Sequence, residues 1–490
     1  MKPVLSIELM VSNRKDTVRK CIDSLDVMRA SFPCELIIID TGCDADLRGE
    51  LERRCDKLLD FEWCNDFAKA RQVGLEAATG EWFLFIDDDE WFSESQELID
   101  FFVSGKYKEY GAAYYVQRNY LDYEGTQYTD CWVGRMTRLH EDSHFESRIH
   151  EYLVPFQGNL CFLNAIAEHY GYVYATEEDK RKHFDRNCSL LEEMLLERPE
   201  DDHLKMQILQ EYRSVAEFEV MIEKAQQYLE ETQQYDARAC YYAAWILGLY
   251  NTKRFTEMHE VCSQIFATFQ RGHYIKTLAN EYSALAYYWE EDSLQNNKAA
   301  IHQVKEYLGD YAFSQQHVPE YQLQKLVPFI SEVFDDVKIK EMYSVLICAG
   351  LRNDDVSYLE AHKDDLCWGD EHVYVFEDMA NVLLDAMETN LDERKKEAFY
   401  HISCRIWAHE PLRKYFVEQI EERQQTGLPY QNAYQFFLQV KEAEGIVEQL
   451  SSLITNSSKE TVGPIVEQIK GMLPYDERII NFDACFKPTR

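Results

Sequence analysis

The sequence predicts an α/β domain built on a mostly parallel, Rossmann-like sheet, followed by an all-α domain of tetratricopeptide-like helical repeats. Three observations lead there. Short apolar runs ending in acids alternate with helical patterns over the first 175 or so residues. Helical periodicity then becomes continuous from about residue 176. Within it Tyr212 and Phe218 recur as Tyr250 and Phe255, with 37 residues between the phenylalanines, near the 34-residue period of tetratricopeptide helix pairs.

The elements follow in order. Val4 to Val11 reads as a first strand, and the polar turn Ser12-Asn13-Arg14-Lys15-Asp16 opens a helix with Val18, Cys21, Ile22 and Leu25 on one face. Residues 35–40, Glu-Leu-Ile-Ile-Ile-Asp before Thr41-Gly42, have the form of a buried parallel strand whose carboxyl end opens into a loop. Helical patterns cover about 44–56 and 66–79, the second stopped by Thr79-Gly80. Residues 81–86 form another apolar strand running into Asp87-Asp88-Asp89-Glu90. In such sheets ligands bind beyond the carboxyl ends of the strands, where Asp40 and the Asp87–Asp89 cluster stand. Residues 111–175, rich in Tyr, Val and Arg, predict mixed strands and loops that complete the site. The expected division is 1–175 for the α/β domain, 176–310 for the repeats and 311–490 for a further helical region that does not phase into repeats.

Composition narrows the class. At 490 residues the chain exceeds one ordinary core of about 100–200 residues. Its 46% hydrophobic content with scarce Gly and Pro favours packed structure throughout. A formal charge of −37 opposes binding to nucleic acid or anionic lipid and suits a basic partner, although acids spread over solvated helix faces give the same total. No two of the fourteen cysteines lie within four residues of each other, which excludes tight CxxC sites and points to reduced thiols. The first strand carries Glu8, and no run reaches the roughly 18 apolar residues of a membrane span, so a cytoplasmic chain without an integral membrane segment is expected.

Clustered carboxylates at a strand exit repel one another unless a cation offsets them, and hard oxygen ligands suit Mg²⁺ or Mn²⁺. The plainer reading makes Asp88 to Glu90 caps of a helix beginning near Phe92-Ser93-Glu94. His140-Glu141-Asp142-Ser143-His144 matches the zinc-protease pattern HExxH, but Asp142 and Ser143 favour a turn, and no third ligand follows at the required spacing.

Six segments in order then resemble glycosyltransferase family 2, inverting enzymes with a GT-A fold. They are Leu9-Met10-Val11-Ser12-Asn13, Ile37 to Gly42, Phe61 to Arg71, the DxD of Asp87–Asp89, Ile149-His150-Glu151 and His169-Tyr170-Gly171-Tyr172. With helical repeats behind it, the architecture is similar to the bacterial branch that includes the sublancin-type peptide S-glycosyltransferases. The resemblance implies that Asn13 and Asp40 line a base and ribose pocket, and that Asp66 and Arg71 lie near the nucleotide, Arg71 offering its fork to phosphate. It implies nucleotide-sugar contacts for Asp87 and Asp88, Mn²⁺ or Mg²⁺ ligation by Asp89 and His169, and Glu151 as general base. Each has a duller rival: Asp40 capping a turn, Arg71 paired with Asp66, His150-Glu151 holding a loop, His169 a hydrogen-bonded core histidine.

Three features, at four positions, depart from the family pattern. Arg14-Lys15 replaces an acid pair, Glu8 replaces an apolar strand residue, and Asp-Asp-Asp replaces Asp-Ala-Asp. The function implied is transfer of a sugar from a nucleoside diphosphate donor, UDP-sugar first, to a protein or peptide acceptor, with the repeats as acceptor surface or homodimer contact. The alternatives are a glycan or lipid-linked acceptor, or an inactive repeat scaffold.

Overall fold

Leu5–Val11 (β1) and Cys34–Asp40 (β2) run parallel and are buried along almost their whole length, because helices cover both faces of the sheet they share. The computed structural model describes residues 2–317, 333–365, 376–427, 430–456 and 459–480. The sheet adds Lys57–Asp60 (β3), Trp82–Asp87 (β4), Glu90–Glu94 (β5), Ala112–Tyr120 (β6) and Tyr128–Arg138 (β7). His144–Glu146 (β8) and Tyr152–Val154 (β9) form a separate two-stranded ribbon, and Leu160–His169 (β10) returns to the main sheet, whose order is β3-β2-β1-β4-β7-β6-β10-β5. β1 to β4 pair in parallel, β7 enters antiparallel between β4 and β6, β10 is parallel to β6, and β5 closes the edge antiparallel to β10.

The helix Lys15–Ser31 (α1) lays Val18, Cys21, Ile22, Leu25 and Met28 on one face of the sheet, beside the apolar side of Gln96–Val103 (α4). On the other face Phe67–Ala77 (α3) packs Ala70 against Met10, Ile37 and Ile39. The second helix is shorter than expected: Ala45–Leu51 (α2) stops early, because Asp56 is drawn to the sheet edge. There the Leu36 N–H donates to the Asp56 carboxylate at 2.8 Å, and the Asp56 N–H donates to the Leu36 carbonyl at 2.9 Å, which starts β3. The helix-cap reading of Asp88 to Glu90 is corrected: Glu90 begins β5, and α4 starts only at Gln96. The HExxH segment is a turn leading into β8, so its histidines share no helical face.

From Glu177 the described residues are helical: Glu177–Glu197 (α5), Asp202–Ser214 (α6), Phe218–Glu231 (α7), Tyr235–Asn251 (α8), Phe255–Thr268 (α9), Tyr274–Glu290 (α10), Leu294–Ser314 (α11) and Asp336–Arg352 (α12), with further helices to Ile480. By compactness one unit runs to Tyr241 and a second begins at Tyr242, so α5 to α7 belong with the sheet. The repeat period is visible in the turns. Ala216 and Lys253, 37 residues apart, both take φ of about +57°, and each sits in a Schellman turn closed by Glu217 N–H to Tyr212 O at 3.0 Å or Arg254 N–H to Leu249 O at 2.9 Å. Asp354, φ +62°, repeats that turn after α12, with Asp355 N–H to Gly350 O at 2.9 Å. Of the expected helical region 311–490, residues 318–332, 366–375, 428–429, 457–458 and 481–490 lie outside the described residues. Among the described residues no helix is long and apolar enough to cross a membrane.

Candidate active site

Strand register brings the acids together. Val11 lies opposite Asp40 and Met10 opposite Asp87, so β1, β2 and β4 end level, at the reversal of strand order between β1 and β4. β10 delivers His169 to the same end, opposite Asn119 of β6 and Glu90 of β5. Asp88 ties two strand ends: one of its carboxylate oxygens accepts from the Ser12 N–H at 2.8 Å and the Ser12 hydroxyl at 2.9 Å. Burial pushes the Asp88 carboxyl up to about 6.

Beneath this rim lies a buried charge network. Arg71, on α3, has no exposed surface; its Nε donates to Glu151 Oε1 at 2.8 Å, and its Nη1 donates to Glu8 Oε2 at 2.9 Å and to the Ile86 carbonyl at 3.1 Å. Its Nη2 is on Asp87. Arg135 of β7 holds the other oxygen of Asp87 at 2.8 Å and Glu90 at 2.7 Å. The two guanidinium groups lie 5.0 and 5.5 Å from the centre of the buried Phe85 ring. Burial alone would raise the Asp87 carboxyl, but Arg135 and Arg71 outweigh it and hold it well below the usual carboxylate range. For Glu8 burial wins, pushing the carboxyl up to about 7, and its Oε1 has no hydrogen-bond partner among the described residues. Glu90 is raised for the same reason.

Glu151 sits on a loop whose shape is strongly determined. Ser147 and His150 both have positive φ, +73° and +52°. The helix pair α5–α6 secures them: Ile149 packs among Leu191, Met194, Leu204 and Ile208, and the His150 ring meets Glu211 at 3.0 Å. The Asn187 amide donates to that same Glu211 oxygen at 2.9 Å, and the Phe67 N–H donates to the Arg148 carbonyl at 2.8 Å. Glu151 Oε1 is thereby held by Arg71, while its Oε2 has no hydrogen bond within the described residues and can take a proton.

The donors fit a divalent cation in one particular way. Asp89 Oδ1 and His169 Nε2 face each other at 3.7 Å, too far for a hydrogen bond and near enough to share an ion. His169 Nδ1 lies 2.6 Å from Asn119 Oδ1, and the Asn119 amide nitrogen contacts Cys131 Sγ at 3.1 Å. Oδ1 can only accept, so Nδ1 carries a proton and Nε2, on the Asp89 side, is the ring nitrogen placed to meet a cation. Among the described residues no three His, Cys, Asp or Glu side chains gather as a metal-holding group. An ion held by Asp89 and His169 alone would have to draw its remaining ligands from phosphate and water.

The other expected residues are placed as follows. Asp40 is buried; its Oδ1 accepts from the Gly42 and Cys43 N–H groups at 2.9 and 2.8 Å, and its Oδ2 pairs with Arg48 at 2.5 Å. Burial would raise it, but these bonds prevail and lower it. Asn13 is exposed at the same rim, its Oδ1 accepting from the Asp44 N–H at 3.3 Å. Asp66 caps α3, accepting from the Lys69 N–H at 3.0 Å. The direct phosphate contact expected of Arg71 is not what the geometry offers, since the guanidinium is enclosed and bound by protein acceptors; it orients Asp87 and Glu151 instead. Sequence reading missed Arg135, Asn119 and Glu211. An arginine inside a strand, as at 135, was the available signal, because a charge there needs buried acids.

Residues 6–152 match the model of Glycosyl transferase family 2, so the N-terminal part of the chain carries a domain of that family. Over 206 residues the chain is 28% identical to the SPbeta prophage-derived glycosyltransferase SunS of Bacillus subtilis, covering 41% of this chain and 47% of that one. Over 219 residues it is 26% identical to a TPR repeat-containing protein of Synechococcus elongatus, covering 41% and 50%. The matched stretches thus span about half the length of these relatives. Among solved structures, that of S. aureus TarS 1-349 in complex with UDP-GlcNAc aligns at 14% identity over 59% of this chain and 92% of that one, with a TM-score of 0.29.

Proposed function

We propose that the protein is a metal-dependent inverting glycosyltransferase that moves a sugar from a nucleoside diphosphate donor, UDP-sugar as first choice, to a protein or peptide acceptor. The observation that carries this reading is the meeting, at one sheet end, of a carboxylate–imidazole pair suited to a divalent ion with a separately held carboxylate, Glu151, suited to a base. Asp89 and His169 would hold Mn²⁺ or Mg²⁺, which supplies neutralisation of the departing diphosphate. Asp40, at the end of β2, and Asn13, just beyond β1, would line the base and ribose pocket. Glu151 Oε2 takes the acceptor proton as the nucleophile attacks the anomeric carbon, and the single displacement inverts that carbon.

The proposed acceptor is a basic segment of protein, matched to a chain of net charge −37. The proposed setting is cytoplasmic, with self-association through the helical pairs, which sedimentation would read as a mass of two chains. Calorimetric titration of UDP with Mn²⁺, with Mg²⁺ and with EDTA, on the wild type and on Asp89→Ala, tests the donor half. Binding that needs the metal and is lost in the variant supports the proposal. Absence of nucleoside diphosphate binding under all three conditions overturns it in favour of a scaffold.

A further inference from the structure

Of the positions that depart from the family pattern, Lys15 is absorbed by an ion pair with Asp44 at 2.5 Å and Glu8 by Arg71. Arg14 goes elsewhere. Its Nη1 lies on Asp89 Oδ2 and 3.6 Å from Asp88 Oδ1. The arginine side chain is 57% exposed, whereas those of Asp88 and Asp89 are 8% and 12% exposed, so the guanidinium lies across the mouth and shields both acids from water. Asp88 is pinned by Ser12, and the other oxygen of Asp89 faces His169. Asp89 Oδ2 is therefore the rim oxygen that Arg14 holds most closely, with Asp88 Oδ1 the farther one, and an incoming cation must take it from the guanidinium.

We propose that Arg14 is a built-in competitor for the divalent-cation site: it holds a ligand oxygen of Asp89, and releases it most readily when a diphosphate gives the guanidinium new acceptors. This rests on the reading of Asp89 as a metal ligand. Two features of the side chain make the exchange feasible. Its side chain is more than half exposed beside the start of α1, so it is not locked into the core, and its planar fork suits phosphate oxygens as well as a carboxylate. The consequence is thermodynamic coupling: Arg14 weakens binding of the ion alone and strengthens the dependence of ion binding on nucleotide.

The test is titration of Mn²⁺ into the full chain, read by the paramagnetic resonance of free Mn²⁺, with and without saturating UDP. The variants are Arg14→Met, which keeps the stem and removes the charge, and Lys15→Met, which removes the same charge one residue away. The expected result is that Arg14→Met binds Mn²⁺ alone about five-fold or more tightly than wild type, the lower end of ordinary coupling factors, while the gain from UDP shrinks. Lys15→Met should change the Mn²⁺ affinity less than about two-fold, since a solvated charge acts weakly at that range. Equal Mn²⁺ affinities of wild type and Arg14→Met, or an equal effect of Lys15→Met, overturns the role of Arg14 alone. Mn²⁺ binding that survives unchanged in Asp89→Asn overturns the metal site itself, and with it the donor half of the proposed function.

Discussion

Replacing Glu8 by Gln isolates the least comfortable group of the network. The side chain lies inside β1 with no exposed surface, and the substitution keeps its shape and an acceptor for Arg71 while removing its titration. The carboxyl is raised by burial from an ordinary 4.5 to about 7. Below pH 4.5 it is protonated in both folded and unfolded chains and contributes no slope. Between 4.5 and 7 the unfolded chain has released the proton and the folded chain has not. The folded state binds more protons there, so stability falls as pH rises, and above 7 the loss is complete. At 1.36 kcal/mol per unit the loss is about 3 kcal/mol. Glu8→Gln should therefore gain about 3 kcal/mol relative to wild type between pH 4.5 and pH 8. Urea denaturation of both chains at a series of pH values reads it, and the difference removes the contributions of Asp88 and Asp87 common to both. Parallel stability curves, within about 0.5 kcal/mol across that range, would refute the assignment of a raised carboxyl at this position.

Two further outcomes follow from close contacts. A Cβ at Gly74 would stand 2.5 Å from Glu8 Cγ and 3.2 Å from Ile39 Cδ1, so Gly74→Ala should force α3 from the sheet and cost about 1–3 kcal/mol in urea denaturation. Asn119→Leu removes the acceptor that fixes the His169 ring, and should weaken Mn²⁺-dependent UDP binding by about 10-fold or more. An unchanged calorimetric affinity in that variant would show that the tautomer is set by something else.

The parts of the fold legible in the sequence were those where one local pattern decides. β1, β2 and β4 are apolar runs buried on both faces, and the acids at their ends mark the open edge of the sheet. β3 was hidden because four residues, Lys57–Asp60, directly follow a helical pattern and pair only through a distant edge. β5 was hidden because Glu-Trp-Phe-Ser-Glu reads as the start of a helix; what makes it a strand is pairing with β10, more than 70 residues later. The repeat turn after α12 escaped for another reason. The residues at its left-handed position across the three turns are Ala216, Lys253 and Asp354, which share a backbone conformation and no side-chain chemistry. At the site, the acids announced themselves by clustering. Arg135, Asn119 and Glu211 did not, since each matters only through the partner that the fold gives it.

What the fold adds to the acidic cluster is a count of charge. Six carboxylates, Glu8, Asp87, Asp88, Asp89, Glu90 and Glu151, form ion pairs with three guanidinium groups, Arg14, Arg71 and Arg135, at this end of the sheet. Such a deficit of positive charge is relieved in two ways, by taking up protons or by taking up a cation. Burial raises the carboxyls of Glu8, Asp88 and Glu90, and the neighbouring carboxylates add to that in the same direction. Asp87 stays ionised because Arg71 and Arg135 both bind it. Arg14 is the remaining cation, and it is the most exposed of the three, paired with Asp89 and more distantly with Asp88. Arg71 and Arg135 thus fix the geometry of the network without neutralising it, and Asp89, whose only cationic neighbour among the described residues besides His169 is the exposed Arg14, is where a second cation has the most to offset.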